Sequence, residues 1–164
     1  IGISSGQMVT GNMGSESRMN YTMMGDNVNT AARLESSAKQ YGIYIQIADS
    51  TYQPIKNKLV VRDLDNVRVL GKEEPVKVWE LISELGKEPE QYKKILPAYN
   101  EALKLYQNQE WSKAIEAFKD SDALEDMFPG RKTNPSRIYI PRCEHFQSNP
   151  PGDEWDGVWT LTSK

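Results

Sequence analysis

Tyr21-Thr22-Met23-Met24-Gly25-Asp26-Asn27-Val28-Asn29-Thr30-Ala31-Ala32-Arg33-Leu34-Glu35 combines a turn, a helix start and a polar helical face in one short run. Asp26 follows Gly25 and precedes an apolar-periodic segment, so its side chain is suited to cap the exposed N–H groups of a helix beginning at Asn27. Asn29 and Arg33 stand four apart, which places them one turn above the other on one face. Val28, Ala31, Ala32 and Ala38 lean toward a different side, expected to pack. Asparagine is a weak helix former, and alanine would serve better on a merely solvated face, so Asn29 one turn before an arginine points to a polar task. A guanidinium offers phosphate oxygens a rigid fork of donors, and an amide can hold a sugar or ring oxygen. From this helix alone two readings stand: a phosphate-binding face, or a first-turn asparagine followed by an ordinary surface arginine.

The flanking residues weigh on that choice. Ile1-Gly2-Ile3-Ser4-Ser5-Gly6, Val9-Thr10-Gly11-Asn12-Met13-Gly14-Ser15-Glu16 and Arg18-Met19-Asn20-Tyr21-Thr22 precede the helix. After it, Tyr41-Gly42-Ile43-Tyr44-Ile45 reads as the next strand and Arg62-Asp63-Leu64 as the approach to a hairpin. Gly71-Lys72-Glu73-Glu74-Pro75-Val76-Lys77-Val78-Trp79-Glu80-Leu81 reads as its closing turn and last strand. In this order, over roughly residues 1 to 85, these landmarks resemble the second half of a class III nucleotide cyclase catalytic domain.

That resemblance implies an α/β (α+β) fold, a ferredoxin-like half-domain with a mainly antiparallel sheet backed by helices, one of them spanning about Asn27 to Gln40. It also implies a second cyclase domain paired head to tail, as in a homodimer, with each active site shared between partners. One partner supplies two carboxylates for Mg2+ or Mn2+; neither is matched in this chain, so the metal ligands are expected elsewhere. The other partner supplies the helix. By the same resemblance Asn29 orients the ribose and Arg33 stabilises charge on the α-phosphate as ATP becomes cyclic AMP and pyrophosphate. Thr22 stands where cyclases hydrogen-bond the adenine edge, with the Met23 backbone beside it, which favours ATP over GTP. Thr22 also suits a strand as a β-branched residue, a role compatible with the first. One position departs from the pattern: Leu70 replaces a lysine that many members direct at the β- and γ-phosphates, and although Lys72 stands nearby, that role is not assigned to it.

The 38% hydrophobic content of the 164 residues is enough for a core, and the net charge of −3 argues against a broad nucleic-acid-binding surface. No run approaches a membrane span, and no signal peptide is visible. A strand-like start at Ile1 suggests that the sequence begins inside a domain, as a fragment of a cyclase. Gly86-Lys87-Glu88-Pro89-Glu90 is a polar connector, and it divides a catalytic part, 1–85, from a helical extension with an extended tail, 86–164.

In the extension, Tyr99, Ala102, Leu103 and Tyr106 form one helical stripe and Trp111, Ala114, Ile115 and Phe118 another, separated by a Gln107-Asn108-Gln109 turn. This predicts a helical hairpin whose spacing resembles half of a tetratricopeptide repeat. Pro135 to Cys143 suggests a short helix, and Pro150 to Leu161 an extended tail similar to that of bacterial cyclases with an extracytoplasmic sensor and membrane helices. The resemblance therefore implies a cytoplasmic domain of a membrane-anchored parent. Cys143, Glu144 and His145 are adjacent rather than spaced for zinc, so a packed thiol and a surface imidazole are expected. Trp155 and Trp159 read as packing anchors. Three functional readings follow: a piece of an adenylate cyclase, a degenerate cyclase-like dimerisation module, or a helical protein-interaction segment centred on residues 95 to 145.

Overall fold

The computed structural model describes residues 1–67, 75–152 and 154–159. Leu70, the Gly71-Lys72 turn, Thr160 and Leu161 lie outside the described residues. Among those described, the strands are β1 (Gly2–Ile3), β2 (Val9–Ser15), β3 (Arg18–Met24), β4 (Gln46–Ala48), β5 (Leu59–Val67) and β6 (Val76–Glu84). The helices are α1 (Asp26–Gln40), α2 (Asp49–Tyr52), α3 (Tyr92–Gln107), α4 (Trp111–Ala123) and α5 (Pro135–Ser148), with a 3₁₀ segment at Gln53–Lys58. One sheet has the order β1-β4-β6-β5: β1 runs parallel to β4, and β6 is antiparallel to both of its neighbours. The fold is thus α/β with a mainly antiparallel sheet, as expected. β2 and β3 form a separate antiparallel ribbon, paired from Val9↔Met24 to Ser15↔Arg18.

The decisive helix starts one residue earlier than the sequence suggests. Gly25, not Asp26, is the N-cap; its φ of 149° is open to glycine, and its carbonyl accepts from the N–H groups of Val28 and Asn29 at 3.1 and 3.3 Å. Asp26 lies in the first turn, where a carboxylate complements the helix dipole. The packed stripe is Thr30, Leu34 and Ala38, at a spacing of four, and Ala32 is exposed. A close approach of β1 fixes this rotation, because a methyl on Gly2 would overlap the backbone of Ala31 and Glu35.

Tyr41 to Ile45 is likewise not a strand. Tyr41 closes α1, with its N–H returning to Ser37 O at 3.2 Å, and Gly42 takes φ +72°, so the chain turns before β4 begins at Gln46. β4 to β6 then build the sheet around buried Ile47, Leu64 and Val78. Trp79 donates to Asp49 Oδ1 at 2.9 Å and meets the Tyr52 ring at 4.5 Å, which holds α2 against the sheet.

The helical hairpin forms as its stripes require. Tyr99, Ala102, Leu103, Tyr106, Trp111, Ala114, Ile115 and Phe118 all enter one core cluster with Tyr139, Cys143 and Phe146 of α5. α5 extends five residues beyond Cys143. Trp155 and Trp159 pack on this cluster, Cys143 is fully buried and His145 is exposed. Among the described residues α3 and α4 form one packed helical pair.

The sheet and the helical cluster meet through buried polar groups. Arg62, with no exposed surface, donates to Glu80 Oε2 at 2.7 Å and makes a two-pronged contact with Glu125 at 2.8 Å, while its guanidinium lies 5.1 Å from the Tyr99 ring centroid. Tyr139 donates to Leu64 O, and Arg142 pairs with Asp65 at 2.6 Å. All of these contacts except Arg62–Glu80 cross residue 85.

Burial gives the molecule an alkaline limit. Desolvation raises the phenols of Tyr41, Tyr99 and Tyr139 above their usual range and pushes the Cys143 thiol up to about 12. In the unfolded chain these groups ionise near 10 and 8.5–9, so between those values and the folded ones only the unfolded state sheds protons. Stability is complete below this window and falls as pH rises through it. Circular dichroism against pH should therefore show cooperative unfolding above about pH 10, with the thiol unreactive toward disulfide reagents until then. A flat signal to pH 12 would contradict the burial of these groups.

Candidate functional site

The four site residues expected from the sequence lie on one strand, turn and helix. Thr22 and Met23 stand near the end of β3, across the ribbon from Gly11 and Thr10, and both are exposed. Asn29 and Arg33 lie one turn apart on α1 and are also exposed. This helical face thus presents an amide and a guanidinium at the surface rather than in the core. The Gly25 turn joins the two pairs, and Arg33 lines a cavity of about 740 Å³ whose walls do not include Thr22, Met23 or Asn29. The walls of that cavity include Leu34, Ser37 and Tyr41 from α1 and its end, Val78 from β6, and Ile138 and Arg142 from α5.

Local chemistry fixes the helix that carries Asn29 and Arg33. At its start, Asn27 donates from Nδ2 to Gln7 O at 3.1 Å and accepts from Ser4 Oγ at 3.2 Å. Gly6 is pressed so closely against the Asn27 amide that a side chain there would collide with it. In the middle, Ser37 Oγ donates to Gln46 Oε1 at 2.7 Å. At its end, Tyr41 donates to Asp65 Oδ2 at 2.5 Å; burial, followed by the Asp65 charge, raises the phenol and keeps it a donor. Sequence reading passed over Asn27, Tyr41 and Asp65. Ser4-Ser5-Gly6 was a signal for the first, whereas the other two reveal themselves only when distant strands meet.

Among the described residues no three carboxylate, imidazole or thiol groups converge as a metal ion would require. The described residues thus do not form a metal centre of their own. Nor is any described helix long and apolar enough to cross a membrane.

Residues 1–83 match the family described as the adenylate and guanylate cyclase catalytic domain, and the chain belongs to it. A terminal-differentiation-specific adenylate cyclase of Dictyostelium discoideum is 35% identical over 147 residues, which is 87% of this chain and 7% of that protein. That similarity runs past residue 83 into the helical half. An adenylate cyclase of Anabaena cylindrica is 38% identical over 84 residues, 49% of this chain and 17% of that protein. The chain therefore spans a small part of the length of these relatives. Among solved structures, the adenylyl cyclase CyaB of P. aeruginosa is 32% identical, covering 50% of this chain and 41% of that one with a TM-score of 0.41.

Proposed function

We propose that this chain acts as part of a longer adenylate cyclase that converts ATP to cyclic AMP and pyrophosphate in signal transduction. One observation carries the reading: within the family match, α1 turns Asn29 and Arg33 outward on one face, away from the Thr30-Leu34-Ala38 stripe that packs it. The adenylate cyclases among its relatives support ATP as substrate.

In this reading the ribose 3′-oxygen attacks the α-phosphorus and loses its proton. The bond from that phosphorus to the bridging oxygen breaks, and pyrophosphate leaves. Asn29 holds the ribose so that the 3′-oxygen lies in line, and Arg33 meets the negative charge that grows on the α-phosphate oxygens. Thr22 and the Met23 backbone hydrogen-bond the adenine edge. The site is completed by a second cyclase domain, as in a homodimer, and Mg2+ or Mn2+ would be held by residues of that longer assembly. The ribbon suits such pairing: Val9, Met19, Tyr21, Met23 and Met24 are all exposed on β2 and β3, an apolar surface of the kind that another chain covers. The chain alone, with half of a shared site, is inactive, and its parent is membrane-anchored with this part on the cytoplasmic side.

The test is nucleotide choice in the full-length protein. ATP should exceed GTP in kcat/KM, and Thr22→Ala should narrow the gap by roughly 2- to 12-fold, the value of one hydrogen bond of about 0.5–1.5 kcal/mol. Equal use of both nucleotides by the unmodified enzyme would refute the assignment of Thr22, and absence of any cyclic nucleotide product would leave the dimerisation-module reading in its place.

A further inference from the structure

The two ends of α1 are held by different parts of the chain. Residues 4–7 hold the start, through Asn27. The helical half grips the end, over the turn from Tyr41 to Tyr44, at three separate points. Gly42 lies so close to the Thr133-Asn134 backbone, which leads into α5, that a side chain there would overlap it. The Tyr44 ring stacks on Phe128 at 4.4 Å, its hydroxyl donates to Pro129 O at 2.9 Å, and the Arg131 guanidinium lies 5.3 Å from its centroid. Finally, Asp65 Oδ2 accepts from both Tyr41 at 2.5 Å and Arg142 of α5 at 2.6 Å.

This last contact is built for rigidity. Asp65 is 6% exposed, and its other oxygen accepts the Asn66 N–H at 2.8 Å. The Arg142 guanidinium lies 5.0 Å from the Tyr139 ring centroid and 5.4 Å from that of Trp159, which restricts its swing. Arg33 precedes Tyr41 by about two turns, roughly 12 Å along the axis. An unbroken helix carries a displacement of its last turn back to Arg33, and a misplacement of about 1 Å at a reacting group is enough to slow chemistry by orders of magnitude. Arg33, Tyr41 and Arg142 also line the same cavity, so the space into which α1 could shift is bounded by α5.

We propose that Arg142, acting through Asp65 and Tyr41, is a positioning residue for Arg33, so that the helical half sets where the cyclase helix stands. This rests on the reading of Arg33 given above. The α5 segment thereby becomes a point at which the rest of the protein can raise or lower turnover without touching nucleotide.

The test uses steady-state kinetics of the full-length cyclase carrying Arg142→Ala, Arg142→Lys, Arg33→Ala, the Arg142→Ala/Arg33→Ala pair, and Phe146→Leu. Phe146 is buried among Tyr106, Trp111, Trp155 and Trp159, so its truncation loosens the helical core while removing none of the hydrogen bonds that grip α1. Arg142→Ala should lower kcat about tenfold with KM changed less than about twofold. Arg142→Lys, which keeps a cation for Asp65 and is gentler on folding, should lose about two- to threefold. The double variant should be no slower than Arg33→Ala alone, because both act at one point. Phe146→Leu should lower the unfolding midpoint and spare kcat. Unchanged kcat in Arg142→Ala beside a slow Arg33→Ala would overturn the proposal. So would multiplying losses in the double variant, or an equal loss of kcat in Phe146→Leu. Normal kcat in a folded Arg33→Ala is a different failure, since it removes the site reading itself and this inference with it.

Discussion

Arg33→Ala in the full-length cyclase is expected to lower kcat by roughly 10²–10³, about 2.7–4 kcal/mol, the loss typical of one preorganised donor to developing charge. The reasoning is differential: phosphate charge on the α-oxygens grows as the 3′-oxygen closes in, so the guanidinium gains most in the transition state, and KM should move far less than kcat. Asn29→Ala should behave similarly. Lys39→Ala, two turns on, should be nearly silent, because Lys39 is well exposed and its pairing with Glu35 at 3.3 Å is a surface contact between residues a turn apart. Steady-state kinetics of the three variants, with circular dichroism to confirm folding, separates the cases. A raised KM with kcat intact would make Arg33 a uniform binding residue, and no change in either would leave it a solvated side chain.

The second large effect lies in the sheet. Arg62→Ala is expected to destabilise the fold by about 3–5 kcal/mol, because it leaves the Glu80 and Glu125 side chains, 3% and 5% exposed, without their shared cation. Burial already raises the Glu80 carboxyl, and Arg62 is what opposes that shift. Losing the guanidinium should push Glu80 up further and make the variant more stable at mildly acid pH than at neutral pH, the reverse of ordinary acid sensitivity. Urea titrations at pH 5 and pH 7 would read this directly. Replacing the whole set, Arg62→Met with Glu80→Leu and Glu125→Met, should recover most of the loss, since apolar side chains of similar size carry no desolvation cost. A single variant that unfolds at the same urea concentration as the unmodified protein would contradict a buried trio in which one guanidinium serves both carboxylates.

How far the sequence carried the fold depended on how local each signal was. The stripes of α3 and α4 could be read because eight large or small apolar residues at helical spacing demand one common core. The rotation of α1 could not, because Ala31 and Ala32 look alike along the chain, and only the approach of Gly2 from another strand decides which faces inward. Tyr41 to Ile45 looked like a strand by composition. Its turn geometry is set by Gly42 lying against Thr133, ninety-one residues away in the chain. The polar face of α1 was legible for the same reason as the stripes, since Asn29 and Arg33 are a turn apart. The residues that hold it in place were not: Asp65 and Arg142 are separated by 77 positions, and each alone is an unremarkable charge.

The β2–β3 ribbon has a consequence for how assembly could be observed. Its amides are tied only across a single two-stranded ladder, with every side chain of both strands outside the core, and such a ladder by itself is barely stable in water. Deuterium should therefore enter it within the time that global opening leaves β6 untouched. Any chain that covers Met19 to Met24 would slow that uptake without altering the slow-exchanging centre of the sheet. Isotope labelling of this one peptide thus becomes a meter of association that works whether or not nucleotide is turned over.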